Sequence, residues 1–171
     1  LLAAAASRGT VMIRNFPQEL DTLLYLLEKM GGDIYQEEQK LLFSMPHRAH
    51  APAFVETAPY PGFPTDLQSP LMAVLAGADG AGVIKENVFE NRFRTAGQLV
   101  RMGAQIEIDG SCARVTGCKL CSNTVKAPDL RGGAALALAA LQADGVSTIT
   151  GMEYVERGYE DLARDLRMLG A

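Results

Sequence analysis

Hydrophobic and polar positions along this chain switch repeatedly between two periods. Thr10-Val11-Met12-Ile13-Arg14-Asn15 alternates as a strand does. From Pro17 to Met30, Leu20, Leu23, Leu24, Leu27 and Met30 follow the three-and-four spacing of an amphipathic helix. Pro17 suits its first turn, and Gly31-Gly32 ends it. Two short strands are predicted next, near Asp33–Gln36 and Lys40–Met45.

The same order then returns. A strand over Gly82–Glu86 precedes a helix over Thr95–Met102, stopped by Gly103, and strands near Ala104–Ile108 and Cys112–Thr116. A third return begins with a strand over Val146–Thr150 and a helix from about Gly158 to Leu169, stopped by Gly170. A second kind of helix also recurs. Asp66-Leu67-Gln68 opens one that runs to Leu75-Ala76, and Asp129-Leu130-Arg131 opens one that runs to Leu141-Gln142. Leu1 to Gly9 reads as the end of a further copy, not as a targeting segment, since no basic lead-in precedes the apolar run. The period is about 70 residues, longer than the 20–50 of solenoid repeats. Units of two helices and about four strands predict a closed, pseudo-threefold α/β domain. Their expected bounds are about 1–58, 59–125 and 126–171, with the last unit lacking its closing strands. On this reading the chain is a portion of a longer protein.

Composition narrows the function classes. Of the 171 residues, 48% are apolar and 21% charged, with a formal net charge of −4. That balance excludes a disordered chain and argues against nucleic acid as a partner. No apolar run approaches the length of a membrane-spanning helix. Small anions remain possible ligands, because local arginine clusters matter more than net charge. Three cysteines do not make a disulfide framework, and free thiols without an export signal fit a cytoplasmic protein. Cys118-Lys119-Leu120-Cys121 is a lone CxxC and His47–His50 an HxxH. Neither supplies the ligand count of a zinc site, and no metal or other cofactor is expected.

The candidate chemistry lies between the helices. Thr57-Ala58-Pro59-Tyr60-Pro61-Gly62-Phe63-Pro64-Thr65-Asp66-Leu67-Gln68 is followed by Val88-Phe89-Glu90-Asn91-Arg92-Phe93. Asp129-Leu130-Arg131 and Glu156-Arg157-Gly158-Tyr159-Glu160 come later. By pattern alone, Asp66 reads as a helix N-cap, Val88 and Phe89 as core strand residues, and the arginines as solvated surface. Asp129 fits equally a helix cap and a support for a neighbouring side chain. Gly132-Gly133, at a helix start, could present backbone amides to an anion.

In their order and spacing these four segments resemble the UDP-N-acetylglucosamine enolpyruvyl transferases of bacteria. The likeness covers nearly all of the chain. It implies one domain of a two-domain, inside-out α/β barrel built from βαβαββ units, with the active site in the cleft between domains. It also implies transfer of enolpyruvyl from phosphoenolpyruvate to the sugar 3′-hydroxyl, the first committed step of peptidoglycan synthesis. Asp66 matches the family's proposed base, and Arg131 and Arg157 its catalytic arginines. Val88, Phe89, Arg92 and Asp129 match its substrate-binding positions. The family's N-terminal domain, with its Lys-Asn pair and catalytic-cysteine loop, has no counterpart here, so this chain alone is expected to be inactive. None of the three cysteines matches the catalytic one. Two alternatives remain: a 5-enolpyruvylshikimate-3-phosphate synthase-like enzyme, and a binding domain without catalysis.

Overall fold

The computed structural model describes residues 1–170, with Gln18 described by its backbone alone. Its helices are α1 (Leu2–Ser7), α2 (Asp21–Lys29), α3 (Gln68–Ala76), α4 (Ala96–Arg101), α5 (Leu130–Gln142) and α6 (Leu162–Met168). The strands run β1 (Thr10–Arg14), β2 (Asp33–Glu37), β3 (Lys40–Ser44), β4 (Phe54–Glu56), β5 (Ala81–Lys85), β6 (Gln105–Asp109), β7 (Cys112–Thr116), β8 (Thr124–Lys126) and β9 (Thr148–Thr150).

Helices α1, α3 and α5 pack against one another at the centre. Their sequences explain why. Helix α3 has no charged residue and no polar face, and every one of its residues is buried. A helix that is apolar all round has to lie in the interior. Helix α5 carries alanine and glycine where it meets its neighbours, so its backbone approaches them closely. By contrast α2 buries only one stripe, Leu23, Leu24, Leu26 and Leu27. Helix α6 has no buried residue.

Three sheets surround this helical centre. The first has the order β1-β3-β2, all antiparallel. The second, β4-β5-β7-β6, pairs β4 with β5 in parallel and the rest antiparallel. The third is the parallel pair β8-β9. Strand β3 shows how alternation sets the layers: Leu41 and Phe43 are fully buried while Lys40 and Leu42 face out. Gly31, Gly103 and Gly170 each follow a helix with φ between 91° and 95°, a conformation glycine adopts without a Cβ penalty. Among the described residues, no helix is long and apolar enough to cross a membrane.

Several details differ from the sequence expectation. The third strand begins at Thr148, not Val146, and the last helix at Leu162, not Gly158. A 3₁₀ turn over Met152–Tyr154 precedes that helix instead. Strands β4 and β8 are only three residues long, too short for an alternating pattern to reveal. Val88 and Phe89 are not core strand residues: they lie beyond β5, exposed at 40% and 53%.

Candidate active site

Three chain segments meet at one end of the helical centre: the turn into α3, the loop after β5, and the start of α5. Asp66 sits in a 3₁₀ turn over Thr65–Leu67 whose first cap is Pro64. It makes no side-chain cap bond, which overturns the N-cap reading. Both of its oxygens are taken by arginines. Arg92 Nη2 donates to Oδ1 at 3.0 Å, and Arg131 Nη2 donates to Oδ2 at 2.7 Å. These partners lie 26 and 65 residues away in sequence.

The hydrogen bond from Arg131 holds the Asp66 carboxyl below the usual carboxylate range. Partial burial opposes this, and the charges of Arg131 and Arg92 reinforce it. Reciprocally, the Asp66 hydrogen bond pushes Arg131 upward, with Tyr159 and Asp129 adding smaller contributions of the same sign. Asp66 is half exposed, so solvent screens both pairs. The cluster carries one net positive charge. Each guanidinium spends one nitrogen on Asp66 and keeps other N–H donors for a carboxylate or phosphate.

Local structure fixes each arginine. Arg131 occupies the first turn of α5, which Asp129 caps by accepting from the Gly132 amide at 2.7 Å. Asp129 thus acts as a cap, and through the cap it supports Arg131. The Gly132 and Gly133 amides are already bonded to Asp129, so they do not form the anion cradle expected from sequence. Packing explains these glycines better. A Cβ on Gly132 would meet Thr95 Oγ1 at 2.6 Å, and one on Gly133 would meet Val155 Cγ2 at 2.2 Å. Arg92 lies over the Phe89 ring at 5.0 Å. It also helps line a cleft of about 480 Å³ with Glu86, Val88, Phe89 and Ser111.

Arg157 stands apart. It is exposed and stacks over Tyr154 at 5.5 Å, with no ion pair to Asp66. Its segment nevertheless packs on the start of α5, through Val155 against Gly133 and Gly158 against Leu130.

One residue of the site escaped the sequence reading. Glu86 is buried at 4% exposure and forms no ion pair among the described residues. Its Oε1 accepts from Thr57 Oγ1 at 2.8 Å, Val88 N at 2.9 Å and Phe89 N at 3.1 Å. Its Oε2 accepts from Thr65 Oγ1 at 2.8 Å. The signal was present: Gly82, Ile84 and Glu86 alternate on the buried face of one strand, and a carboxylate there requires donors.

The CxxC and HxxH segments are joined to neighbouring helices through backbone hydrogen bonds. The amides of Cys118 and Cys121 bond the carbonyls of Ala76 and Met102, and the His50 amide bonds Met30. Among the described residues, no three His, Cys, Asp or Glu side chains come together as metal ligands.

Residues 1–166 match the family model described as EPSP synthase (3-phosphoshikimate 1-carboxyvinyltransferase). The chain belongs to the EPSP synthase family. A relative from Desulfofundulus thermocisternus is 45% identical over all of this chain and 71% of its own length. One from Geobacter metallireducens is 42% identical over all of this chain and 41% of its own length. Both are named UDP-N-acetylglucosamine 1-carboxyvinyltransferase. The enolpyruvyl transferase NikO from Streptomyces tendae superposes with a TM-score of 0.86 at 27% identity, covering 99% of this chain and 42% of NikO. The architecture is accordingly the inside-out α/β fold of the EPSP synthase family, with helices inside and sheets outside. This chain spans about two-fifths of the length of the Geobacter relative.

Proposed function

We propose that this chain supplies one wall of an active site that moves the enolpyruvyl group from phosphoenolpyruvate to the 3′-hydroxyl of UDP-N-acetylglucosamine, releasing phosphate. The observation that carries the reading is Asp66 held between Arg92 and Arg131, in a chain whose relatives bear that enzyme's name. Asp66 accepts the hydroxyl proton as the sugar oxygen attacks the enol carbon. Arg131 and Arg157 donate to the carboxylate and phosphate and stabilise the departing phosphate. Arg92, Val88 and Phe89 line the nucleotide-sugar side, and Asp129 acts through the turn that carries Arg131. A second domain of the same protein supplies the proton for the methylene carbon and closes the cleft. No cofactor takes part.

The cage around Asp66 has a consequence for this chemistry. Both carboxylate oxygens of Asp66 accept from an arginine, and these bonds lower its basicity. An anion that draws Arg131 away frees one oxygen for the hydroxyl and makes it more basic. We place the reaction in the cytoplasm, where the free thiols Cys112, Cys118 and Cys121 persist.

The experiment compares acceptors. The complete protein, given phosphoenolpyruvate, releases phosphate with UDP-N-acetylglucosamine, and shikimate 3-phosphate neither replaces nor competes with it. Turnover with shikimate 3-phosphate alone would transfer the assignment to the other enolpyruvyl acceptor, the one named in the family's description. Turnover with neither acceptor would leave a binding domain.

A further inference from the structure

We infer that Glu86 is a positioning residue for this reaction, holding the base turn and the substrate-facing loop in one register. The inference rests on the proposed transfer reaction and adds a residue to it.

Four donors converge on the Glu86 carboxylate, and they come from three separate segments. Thr57 follows β4, Thr65 adjoins Asp66, and Val88 and Phe89 form the loop after β5. Thr57 is used twice, since its Oγ1 also accepts from the Asn87 amide at 2.9 Å. A single buried side chain thus ties the turn bearing Asp66 to the loop that leads to Arg92. The Asp66–Arg92 contact closes the same ring from the outside.

A hydrophobic residue would serve a merely structural role on this face, as Ile84 does two residues earlier, within β5. Instead a buried acid has no cationic partner among the described residues and is met there by neutral hydroxyls and amides. Burying such a group costs free energy unless each lone pair is used, so the arrangement tolerates little displacement of any donor. It also fixes the use of the Val88 backbone. The Val88 amide is spent on Glu86, which leaves the carbonyl to meet a ligand.

The two obvious substitutions have different consequences. Glutamine preserves the connections: its oxygen accepts from the amides, and its nitrogen donates to Thr65 once that hydroxyl rotates. Alanine leaves two amides and two hydroxyls without their acceptor.

The test uses the complete protein and steady-state kinetics with UDP-N-acetylglucosamine and phosphoenolpyruvate. Glu86→Ala is expected to lower kcat about a hundredfold, the scale of a misplaced reacting group, and to raise KM for the nucleotide-sugar. Glu86→Gln is expected to restore kcat to within about threefold of the parent. Thr65→Val deletes only the link to the Asp66 turn and lowers kcat while leaving the nucleotide-sugar KM unchanged. Should Glu86→Ala fail to fold, Thr65→Val and Glu86→Gln decide the matter by that same split. A folded Glu86→Ala protein with parental kcat and KM overturns the inference, as does Thr65→Val with unaltered kcat. A parent protein that turns over neither acceptor defeats the transfer reading itself, and is told apart because it fails before any substitution is made.

Discussion

At the scale of single residues, Asp66 is defined by what it gives up and what it gains. It does not cap the helix it precedes, although its position and residue type suit that role. Instead it holds two arginines that come from distant parts of the chain. The lowered pKa has a signed consequence. The ion pairs stabilise the fold above the carboxylate's ordinary range, and that contribution is lost as pH falls through the lowered value. Arg131→Ala removes the largest cause of the shift. The Asp66 carboxyl, followed by NMR titration, then moves up towards its ordinary value, while Arg92→Ala produces a smaller movement. Equal shifts from both substitutions would contradict the dominance of Arg131.

Sequence pattern could not show this cluster, because it is made by tertiary contact. Local reasoning sees a Pro-Thr-Asp before an apolar run and predicts a cap. Only the resemblance, carried by four spaced segments, picked out Asp66, Arg92 and Arg131 together. Glu86 was missed for the opposite reason. Its signal was local, an acid in phase with Gly82 and Ile84, but the Thr57 and Thr65 hydroxyls that hold it lie 29 and 21 residues away.

Secondary elements show how α5 is made to deliver Arg131. Its start is fixed by the Asp129 cap, by Gly132 packed against Thr95, and by Gly133, which lets the Val155 segment approach. Gly133→Ala places a Cβ against Val155 Cγ2, and a β-branched side chain has little room to turn away. The expected cost is about 1–3 kcal/mol in chemical denaturation. Combined with Val155→Ala, the loss should be smaller than the sum of the two single changes, because the clash is removed. Additive losses would show that Gly133 and Val155 do not press on one another. At this scale the chain was largely legible. The helix stops at Gly31, Gly103 and Gly170, and the strands over Lys40–Ser44 and Cys112–Thr116, follow directly from periodicity. What periodicity could not resolve were the short strands β4 and β8 and the 3₁₀ turn at Met152–Tyr154.

For the whole molecule, the governing fact is that the most apolar helices lie inside and the sheets outside. This follows from α3, which offers no polar face, and from the alternation in β3 and β7, where one row is buried and the next is not. The centre places the first turns of α3 and α5 side by side at one end, and the groups proposed to react stand there on rigid supports. Such supports are what base catalysis requires, since a carboxylate must sit within hydrogen-bond reach of the hydroxyl it deprotonates.

The most direct measurement is the turnover of the complete protein carrying Asp66→Asn, with binding followed separately by calorimetry. The substitution keeps the shape and the hydrogen-bonding carbonyl but removes the base. The account predicts near-parental affinity for UDP-N-acetylglucosamine and a loss of about a hundredfold or more in kcat. Near-parental kcat would contradict it, and the proton would then have to leave through another group.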